Sequence, residues 1–319
     1  MNILVTGGTR VLGQPVVSRL VQGGHHVRAL ARSERGVELL RTLGAEPVAF
    51  DLFDPSAVSA AVDGVDAILH LATHIPATRE MKELASWAPN DRLRREATRV
   101  LVDAALAAGV GTFVYPSITL IYPDRGDYWI DASTTEPDAT ARTRSTLDAE
   151  AEVARFAQAG GRGVSLRLGT LYGPTSSQTQ ELLAYAGRGF ALVPGRAGAF
   201  RTSLWVDDAA EALVAATVSA PSGVYDVADD EPLTRSAFTS ALASAVGRSG
   251  LRRIPGLLIR MSVGGELAQL NGRSQRVSNR RFREATGWAP AVPQARDGFA
   301  RLRAATTAQA PQAVRPGPP

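Results

Sequence analysis

The sequence predicts an α/β protein with a doubly wound parallel sheet and a smaller C-terminal substrate lobe. Three observations predict this class: a glycine-rich turn after the first strand, strand-like runs that alternate with helical periodicity, and 319 residues of which 45% are hydrophobic. Strands separated by helices of this length are typical of parallel sheets with helices on both faces. A chain of this length forms one large domain or two lobes.

The strands and helices alternate in order along the first half of the chain. Runs of β-branched and aliphatic residues predict strands, and apolar residues at helical spacing predict the helices between them. The predicted strands are 3–6, 27–31, 47–50, 67–71, 112–115 and 164–168, and the first predicted helices are 16–22, 37–43 and 57–62.

Composition excludes several classes of protein. The sequence has no cysteine, which excludes disulfides and thiolate metal ligands. It has no apolar run of the ~20 residues that a membrane span needs. It also has no basic and apolar leader of the kind that directs secretion. We therefore expect a cytoplasmic protein with no metal site and no membrane partner.

The glycine-rich turn TGGTRVLG occupies residues 6–13, between the first strand and the first helix. In this context a glycine turn presents backbone N–H groups and a helix N-terminus to a pyrophosphate. Gly7 permits the tight turn, and Gly13 permits close packing of helix on strand. Arg10 stands where the usual spacing has its middle glycine. The turn predicts a dinucleotide site.

The end of the second strand predicts which dinucleotide binds. An NAD enzyme places a carboxylate there for the ribose 2′-hydroxyl, whereas this chain has Arg32 followed by Ser33. A guanidinium clamps a 2′-phosphate, and Arg10 in the first helical turn approaches the same phosphate. The sequence therefore favours NADP(H). The alternative, that both arginines are only solvated, stays open.

Further motifs follow in order: DL at 51–52, HLA at 70–72, LRLGTLYGP at 166–174, WVDD at 205–208, GVYDV at 223–227 and TGWAP at 286–290. With the glycine turn, they resemble the extended short-chain dehydrogenases/reductases, the NAD(P)-dependent epimerase/dehydratase family, over about residues 1–303. The resemblance implies a Rossmann fold whose cofactor contacts come from Gly7, Thr9, Arg10, Val11, Leu12, Gly13, Arg32, Ser33, Asp51, Leu52, Leu71, Ala72 and Thr73.

The same resemblance predicts how the chain divides. Residues 1–168, with a return segment at 203–227, are expected to form the NADP(H)-binding Rossmann domain. Residues 169–202 and 228–303 are expected to form the substrate lobe. The proline-rich tail at 304–319 has no core-forming pattern and is expected to be disordered.

The family's proton relay is absent from this sequence. That relay uses a tyrosine and a lysine four residues apart, and the only lysine, Lys82, follows Thr78 at that spacing. Aligning 149–150 with the end of the family's motif puts Arg142 at the tyrosine position and Thr146 at the lysine position. The family's serine and asparagine positions read Ile118 and Arg94. The whole tetrad is therefore substituted.

Three functions remain open. The first is an NADPH-dependent ketoreductase that takes its proton from a substrate phenol or water, as an atypical ketoreductase of angucyclinone (simocyclinone) biosynthesis would. The second is a non-redox cyclase or isomerase on the same fold. The third is a non-catalytic NADP(H)-sensing or RNA-associated protein. Only 6% of residues are aromatic and no stacking module is recognisable, so no nucleic-acid partner is expected.

The substrate is expected to be a small, flat and apolar molecule, such as an aromatic polyketide. Ligands of this fold sit beyond the carboxyl ends of the strands. That rule predicts Ser117, Thr119, Tyr122 and His74 as the groups that contact the reacting carbonyl or supply a proton. The stretch 74–94 predicts extra helix beside the pocket, either a lid or simple packing.

Overall fold

The computed structural model describes residues 1–77 and 80–309. The strands are β1 (Asn2–Thr6), β2 (His26–Leu30), β3 (Glu46–Val48), β4 (Ala67–His70), β5 (Thr112–Ile118), β6 (Trp129–Ile130), β7 (Arg162–Leu168), β8 (Thr170–Tyr172), β9 (Phe190–Ala191), β10 (Phe200–Arg201), β11 (Ser203–Trp205), β12 (Gly223–Val227), β13 (Leu233–Thr234), β14 (Arg252–Arg253) and β15 (Arg276–Val277).

The helices are α1 (Gly13–Gln22), α2 (Glu34–Thr42), α3 (Pro55–Val62), α4 (Ala88–Arg92), α5 (Thr98–Ala108), α6 (Arg144–Gln158), α7 (Ser177–Gly187), α8 (Val206–Val218), α9 (Arg235–Ala245), α10 (Gly256–Val263), α11 (Gly265–Leu270), α12 (Arg280–Thr286) and α13 (Ala295–Gln309). Two 3₁₀ turns, Leu84–Trp87 and Thr119–Ile121, and a π-helical turn, Leu93–Ala97, complete them.

Seven strands form one parallel sheet in the order β12-β7-β5-β4-β1-β2-β3. β1 lies inside this order, paired in parallel with β2 on one side and with β4 on the other. The chain therefore winds outward in both directions from β1. Ligands of open α/β sheets bind at the crevice where the winding reverses. The predicted doubly wound sheet is confirmed.

Helices cover both faces of the sheet and create two apolar cores. Leu20 of α1 and Leu213 of α8 lie in the core on one face. Leu101 of α5 and Phe156 of α6 lie in the core on the other face. This two-sided burial explains why the strands read as continuous apolar runs and not as alternating ones.

The predicted strands of the sheet are all present, with ends displaced by a few residues. β5 is the most different, because it continues past Pro116 to Ile118, whereas the sequence predicted its end at Tyr115. A central strand hydrogen-bonds to a neighbour on each side, and proline has no N–H to donate to either neighbour. β4 pairs with β5 only as far as Val114, so beyond that residue β5 bonds to β7 alone and the proline is tolerated.

The remaining strands form small two-stranded sheets, such as parallel β8 with β11. Tyr172, Trp205, Phe238 and Phe299 pack in a third core beside them. The intervening segment 203–227 sends α8 against α1 and β12 to the edge of the main sheet. The division into a cofactor domain and a substrate lobe stays a prediction.

Two of the sequence motifs meet through Asp208. Its carboxylate accepts the backbone N–H groups of Ala291 and Val292, both at 2.9 Å. The indole N–H of Trp288 donates to the Asp208 carbonyl at 3.2 Å. The WVDD motif therefore anchors the TGWAP motif about eighty residues later in the chain.

The prediction of a disordered tail from residue 304 is wrong for its first six residues. Residues 304–309 continue α13, because this alanine-rich stretch has high helix propensity. Residues 310–319 lie outside the described part of the chain, so that part of the prediction stays untested. Within residues 1–77 and 80–309, no helix is long and apolar enough to cross a membrane.

Candidate functional site

The glycine turn after β1 is as tight as its sequence predicts. Gly7 has a φ of +76°, and a Cβ added to it would lie 2.5 Å from the Leu71 carbonyl oxygen. A Cβ on Gly13 would lie 2.1 Å from the Gly7 carbonyl oxygen. No side chain caps the N-terminus of α1. The Gln14 N–H of its first turn donates to the Arg10 carbonyl at 3.0 Å. The tight turn leading into an uncapped helix N-terminus fits a dinucleotide pyrophosphate.

A cavity of about 530 Å³ opens beside this turn at the carboxyl ends of the strands. Its lining includes eight of the predicted cofactor residues: Gly7, Thr9, Arg10, Arg32, Ser33, Leu52, Ala72 and Thr73. The other predicted residues, Val11, Leu12, Gly13, Asp51 and Leu71, do not line it. Gly13 and Leu71 shape the turn, as their close approaches to Gly7 show. The assignment of individual cofactor contacts stays a prediction.

Six further lining residues were missed by the sequence analysis: Gln14, Leu30, Arg35, Gly36, Leu39 and Leu93. Arg35 could have been found, because it lies in the first turn of α2, one helical turn from Arg32. Ser33 begins this helix and accepts the Gly36 N–H at 3.2 Å. Leu93 comes from the far side of β4, and nothing in its local sequence signals the cavity.

Three exposed guanidinium groups, those of Arg10, Arg32 and Arg35, border one end of the cavity. Among the described residues none of these three side chains has a hydrogen-bond or ion-pair partner. Unpaired arginines that converge at the end of the second strand make a site for an anionic group on the adenosine ribose.

Arg142, which stands at the family's tyrosine position, is held by hydrogen bonds and an ion pair to other parts of the protein. Its Nη1 and Nη2 donate to the Met81 and Lys82 carbonyls at 2.9 and 2.7 Å. Its Nε forms an ion pair of 2.9 Å with Glu266 of α11. This buried guanidinium therefore ties the segment 80–87 to the lobe helix. Its donors are committed to protein partners and are not arranged to deliver a proton.

Among the described residues of the segment 74–94, those at its end are helical. The 3₁₀ turn and α4 cover its end, whereas residues 74–77 are irregular, and residues 78–79 lie outside the described chain. Trp87 packs with Met81 and Val263, and with Leu267 and Leu270 of α11. In this structure the second half of the segment is packed against the lobe.

The four predicted catalytic residues do not line the cavity. Ser117 is buried and donates its hydroxyl hydrogen to Glu150. Thr119 is buried at the start of a 3₁₀ turn. His74 is exposed, and its backbone N–H donates to Asn90 at 2.9 Å. Their role in catalysis stays a prediction.

Tyr122 belongs to a buried polar network. Its hydroxyl donates to Asp226 at 2.8 Å and accepts from Arg167 at 2.9 Å. Arg167 also donates twice to Glu150, at 3.0 and 2.7 Å. Burial raises the pKa of Tyr122, and the nearby Asp226 carboxyl raises it further. Such a phenol is a poor proton donor, so this geometry disfavours the predicted role of Tyr122 as an acid.

The acidic member of this network titrates near neutrality. Burial raises the pKa of Asp226 to about 7, although hydrogen bonds from Tyr122 and the Ala132 N–H oppose the shift. The charge of Arg167 opposes it as well, and that of Asp131 adds to it. Asp226 occupies the asparagine position of the family's GxxYNV motif. The chain has therefore acquired a buried ionisable group where the motif has a neutral amide.

We expect Asp226→Asn to change the pH dependence of stability. In the unfolded chain the carboxyl ionises near 3.8, and in the folded chain near 7. Between these values only the folded state holds the proton, so the free energy of unfolding falls as pH rises from about 4 to about 7. Asp226→Asn should remove part of that fall, measured by urea denaturation from pH 4.5 to 8. The surface variant Asp148→Asn should keep it. Identical profiles for wild type and Asp226→Asn would contradict the shift.

Comparison with known proteins identifies the family of the chain. A model of the NAD dependent epimerase/dehydratase family matches residues 3–228. The chain belongs to this family. A 3-diazoavenalumate denitrifying reductase from a Streptomyces species is 33% identical over 94% of this chain and 100% of the relative. A 2-alkyl-3-oxoalkanoate reductase from Stenotrophomonas maltophilia is 30% identical over 77% of this chain and 76% of the relative.

A solved structure shows the same fold. The human epimerase family protein crystallised with NADPH aligns at a TM-score of 0.80 and 20% identity, covering 95% of this chain and 99% of that one. The prediction of an atypical short-chain dehydrogenase/reductase with a nicotinamide dinucleotide cofactor is confirmed. So is the class of enzyme, an NAD(P)-dependent oxidoreductase.

Proposed function

We propose that the protein is an NADPH-dependent reductase that transfers a hydride to an aromatic small molecule without a tyrosine–lysine relay. The observation that carries this proposal is which side chains occupy the family's relay positions and what they contact. Arg142 is committed to two backbone carbonyls and to Glu266, and Thr146 offers a hydroxyl in place of an amine. The cavity at the glycine turn has a lining that suits a dinucleotide. The site thus keeps the means to hold a hydride donor and lacks the usual proton donor.

The choice of NADPH over NADH rests on the arginine end of the cavity. Arg10, Arg32 and Arg35 present unpaired positive charge where an NAD enzyme has a carboxylate. A 2′-phosphate would gain charge-assisted hydrogen bonds there. The human structural relative crystallised with NADPH is in keeping with this preference.

We expect NADPH to bind at least about tenfold more tightly than NADH, a difference of about 1.4 kcal/mol. Arg32→Ala should lower the affinity for NADPH and leave that for NADH unchanged, because only the 2′-phosphate is lost as a partner. Calorimetry on the purified protein measures both. Arg28→Ala, on β2 four residues before Arg32 and outside the cavity, is the matched control. A variant that loses NADH and NADPH binding equally would refute the phosphate clamp.

Hydride transfer depends above all on holding the hydride donor and the accepting carbon in the right relative position. NADPH, when bound, supplies the hydride. The chain's own part is to hold the dinucleotide with the turn after β1 and to shield the reacting carbon from water. The side chains at the relay positions then do not supply the proton that a reduced carbonyl oxygen takes up. A ketone beside a phenol carries that proton in its own hydrogen bond, as angucyclinone-like aromatic polyketides do.

A second substrate class is favoured by the relative from Streptomyces. That protein is named a denitrifying reductase of a diazo compound and matches this chain over almost all of both lengths. In such a reaction a hydride replaces the diazo group on an aromatic carbon, the C–N bond breaks and N₂ leaves. No oxygen atom is protonated, so no acid is required. The substituted relay of this chain therefore suits reductive loss of N₂ from an aryl diazonium.

The lobe supports an apolar substrate. Large apolar side chains are left on its surface, with Leu257 and Met261 of α10 exposed at 69% and 70%. Four arginines of the lobe would instead suit the diphosphate of a nucleotide sugar: Arg201, Arg252, Arg260 and Arg276. One of them, Arg276, stacks over the Trp129 ring at 4.2 Å. Epimerase or dehydratase chemistry on such sugars needs strong acid–base groups. The substituted relay therefore favours the apolar ligand.

We expect Arg142→Ala and Thr146→Ala to leave kcat within about tenfold of wild type. A general acid contributes ~10²–10⁴-fold, so removing a group that does not transfer protons costs far less. Stopped-flow oxidation of NADPH with saturating substrate measures the chemical step. Glu266→Gln, which weakens the same ion pair, is the matched control. A fall of more than 100-fold in Arg142→Ala alone would mean that Arg142 has a chemical role.

One assay separates the remaining functions. The protein is incubated with NADPH and either a phenol-adjacent aromatic ketone or an aryl diazonium acid, and NADPH loss is recorded with product mass and N₂ release. We expect one of them to consume NADPH in a 1:1 ratio with product. Turnover without loss of NADPH would identify a cyclase or isomerase. Binding of NADPH without turnover of any substrate would favour a sensor.

A further inference from the structure

Several buried polar side-chain atoms have no hydrogen-bond partner among the described residues, and three of them lie in the segments that carry the substituted relay or adjoin it. They are Nδ2 of Asn90, Nε of Arg94 and the hydroxyl oxygen of Thr146. All three residues are at least nine-tenths buried. Buried donors without partners are rare, and each calls for a bound water, an ion or a ligand.

Arg94 is the charged member of this group. Its Nη1 approaches the Ser145 hydroxyl at 3.5 Å, the long limit of a hydrogen bond. Burial raises the pKa of Tyr115, and both the positive charge of Arg94 and a hydrogen bond from Arg94 to that phenol oppose the rise. Ser145 in turn donates to Asp91 at 2.6 Å, so the nearest carboxylate is reached only through a hydroxyl. Within the described chain Arg94 forms no direct ion pair.

Two of the three residues adjoin residues of the cavity lining. Leu93, the neighbour of Arg94, lines the cavity. Asn90 accepts the His74 N–H at 2.9 Å, next to Thr73 of the lining. The turn that carries Arg94 is π-helical, a geometry frequent at functional sites. Arg32 and Leu93 line the same cavity, so a ligand whose adenosine lies at Arg32 has room to extend toward the segment that carries Arg94.

We propose that Arg94, with Thr146 beside it, binds oxygen atoms of the distal half of the dinucleotide, meaning the second phosphate and the nicotinamide ribose. This assignment rests on the proposed nicotinamide cofactor. The guanidinium offers an Nε–H without a partner and a charge without a direct ion pair to acceptor oxygens. The Thr146 hydroxyl completes the set from the opposite helix, α6. Arg94 is therefore a cofactor-positioning residue that supplies a cation in a chain with a single lysine.

Calorimetry with three ligands tests the assignment on the purified, cofactor-free protein. NADPH and 2′-phospho-ADP-ribose contain the distal half, and 2′,5′-ADP does not. We expect Arg94→Met to weaken the first two by about tenfold and to leave 2′,5′-ADP within about twofold. Arg94→Lys should recover part of the loss, and Thr146→Val should weaken the same two ligands to a smaller extent. Arg95→Met, on the same turn but paired with Asp148 at the surface, should change none of them.

Thermal unfolding of the cofactor-free variants separates binding from structure. Removing a buried charge that lacks an ion pair should not lower the Tm of Arg94→Met, although affinity for the distal half falls. Equal losses for all three ligands, or none, would overturn the proposal. An Arg94→Met variant with unchanged affinity for NADPH and a raised KM for substrate would also overturn the proposal. Failure of wild type to bind NADPH would refute the proposed cofactor itself, whereas normal binding without turnover would refute only the reductase.

Discussion

The buried ion pair between Glu150 and Arg167 is the interaction on which the substrate side of the sheet depends. Two hydrogen bonds join Arg167 to Glu150, and the pair links α6 to β7. Ser117 of β5 and Tyr122 bond to its two members. A buried pair is costly to break, because the remaining charge would be stranded in a medium of low dielectric constant. The carboxyl ends of β5 and β7 and the first turns of α6 are thus held in one fixed arrangement.

The local parts of this fold were predictable from the sequence, and the long-range contacts were not. The Gly7–Gly13 turn and the parallel order follow from spacing and from backbone sterics that act over a few residues. Glu266 lies 124 residues from Arg142, and no pattern in either neighbourhood signals that they meet. The same holds for Tyr122 and Asp226, 104 residues apart. The sequence placed Tyr122 near the strand ends, but only the fold shows it enclosed and bonded to a carboxyl.

The chain keeps the binding half of its family's machinery and has rebuilt the proton-transfer half. The phosphate turn, the arginine end of the cavity and the sheet order are those of a dinucleotide enzyme. The relay positions carry Arg142, Thr146, Ile118 and Arg94, which pack, tie segments together or leave buried donors. Such a site suits reactions in which the substrate meets its own proton demand or has none. The reductases among its relatives include one that removes a diazo group, a reaction of the second kind.

The two hydrogen bonds that Arg142 donates to the Met81 and Lys82 carbonyls also bear on how readily the family's relay could be restored in this chain. Arg142→Tyr alone would free both carbonyls and the Glu266 carboxylate before any relay existed. Thr146→Lys alone would bring a second cation close to Arg94. Arg142→Tyr therefore breaks contacts that the present fold uses, and Thr146→Lys adds a second cation to a buried region. Restoring the family's relay in this chain would require compensating changes around both positions.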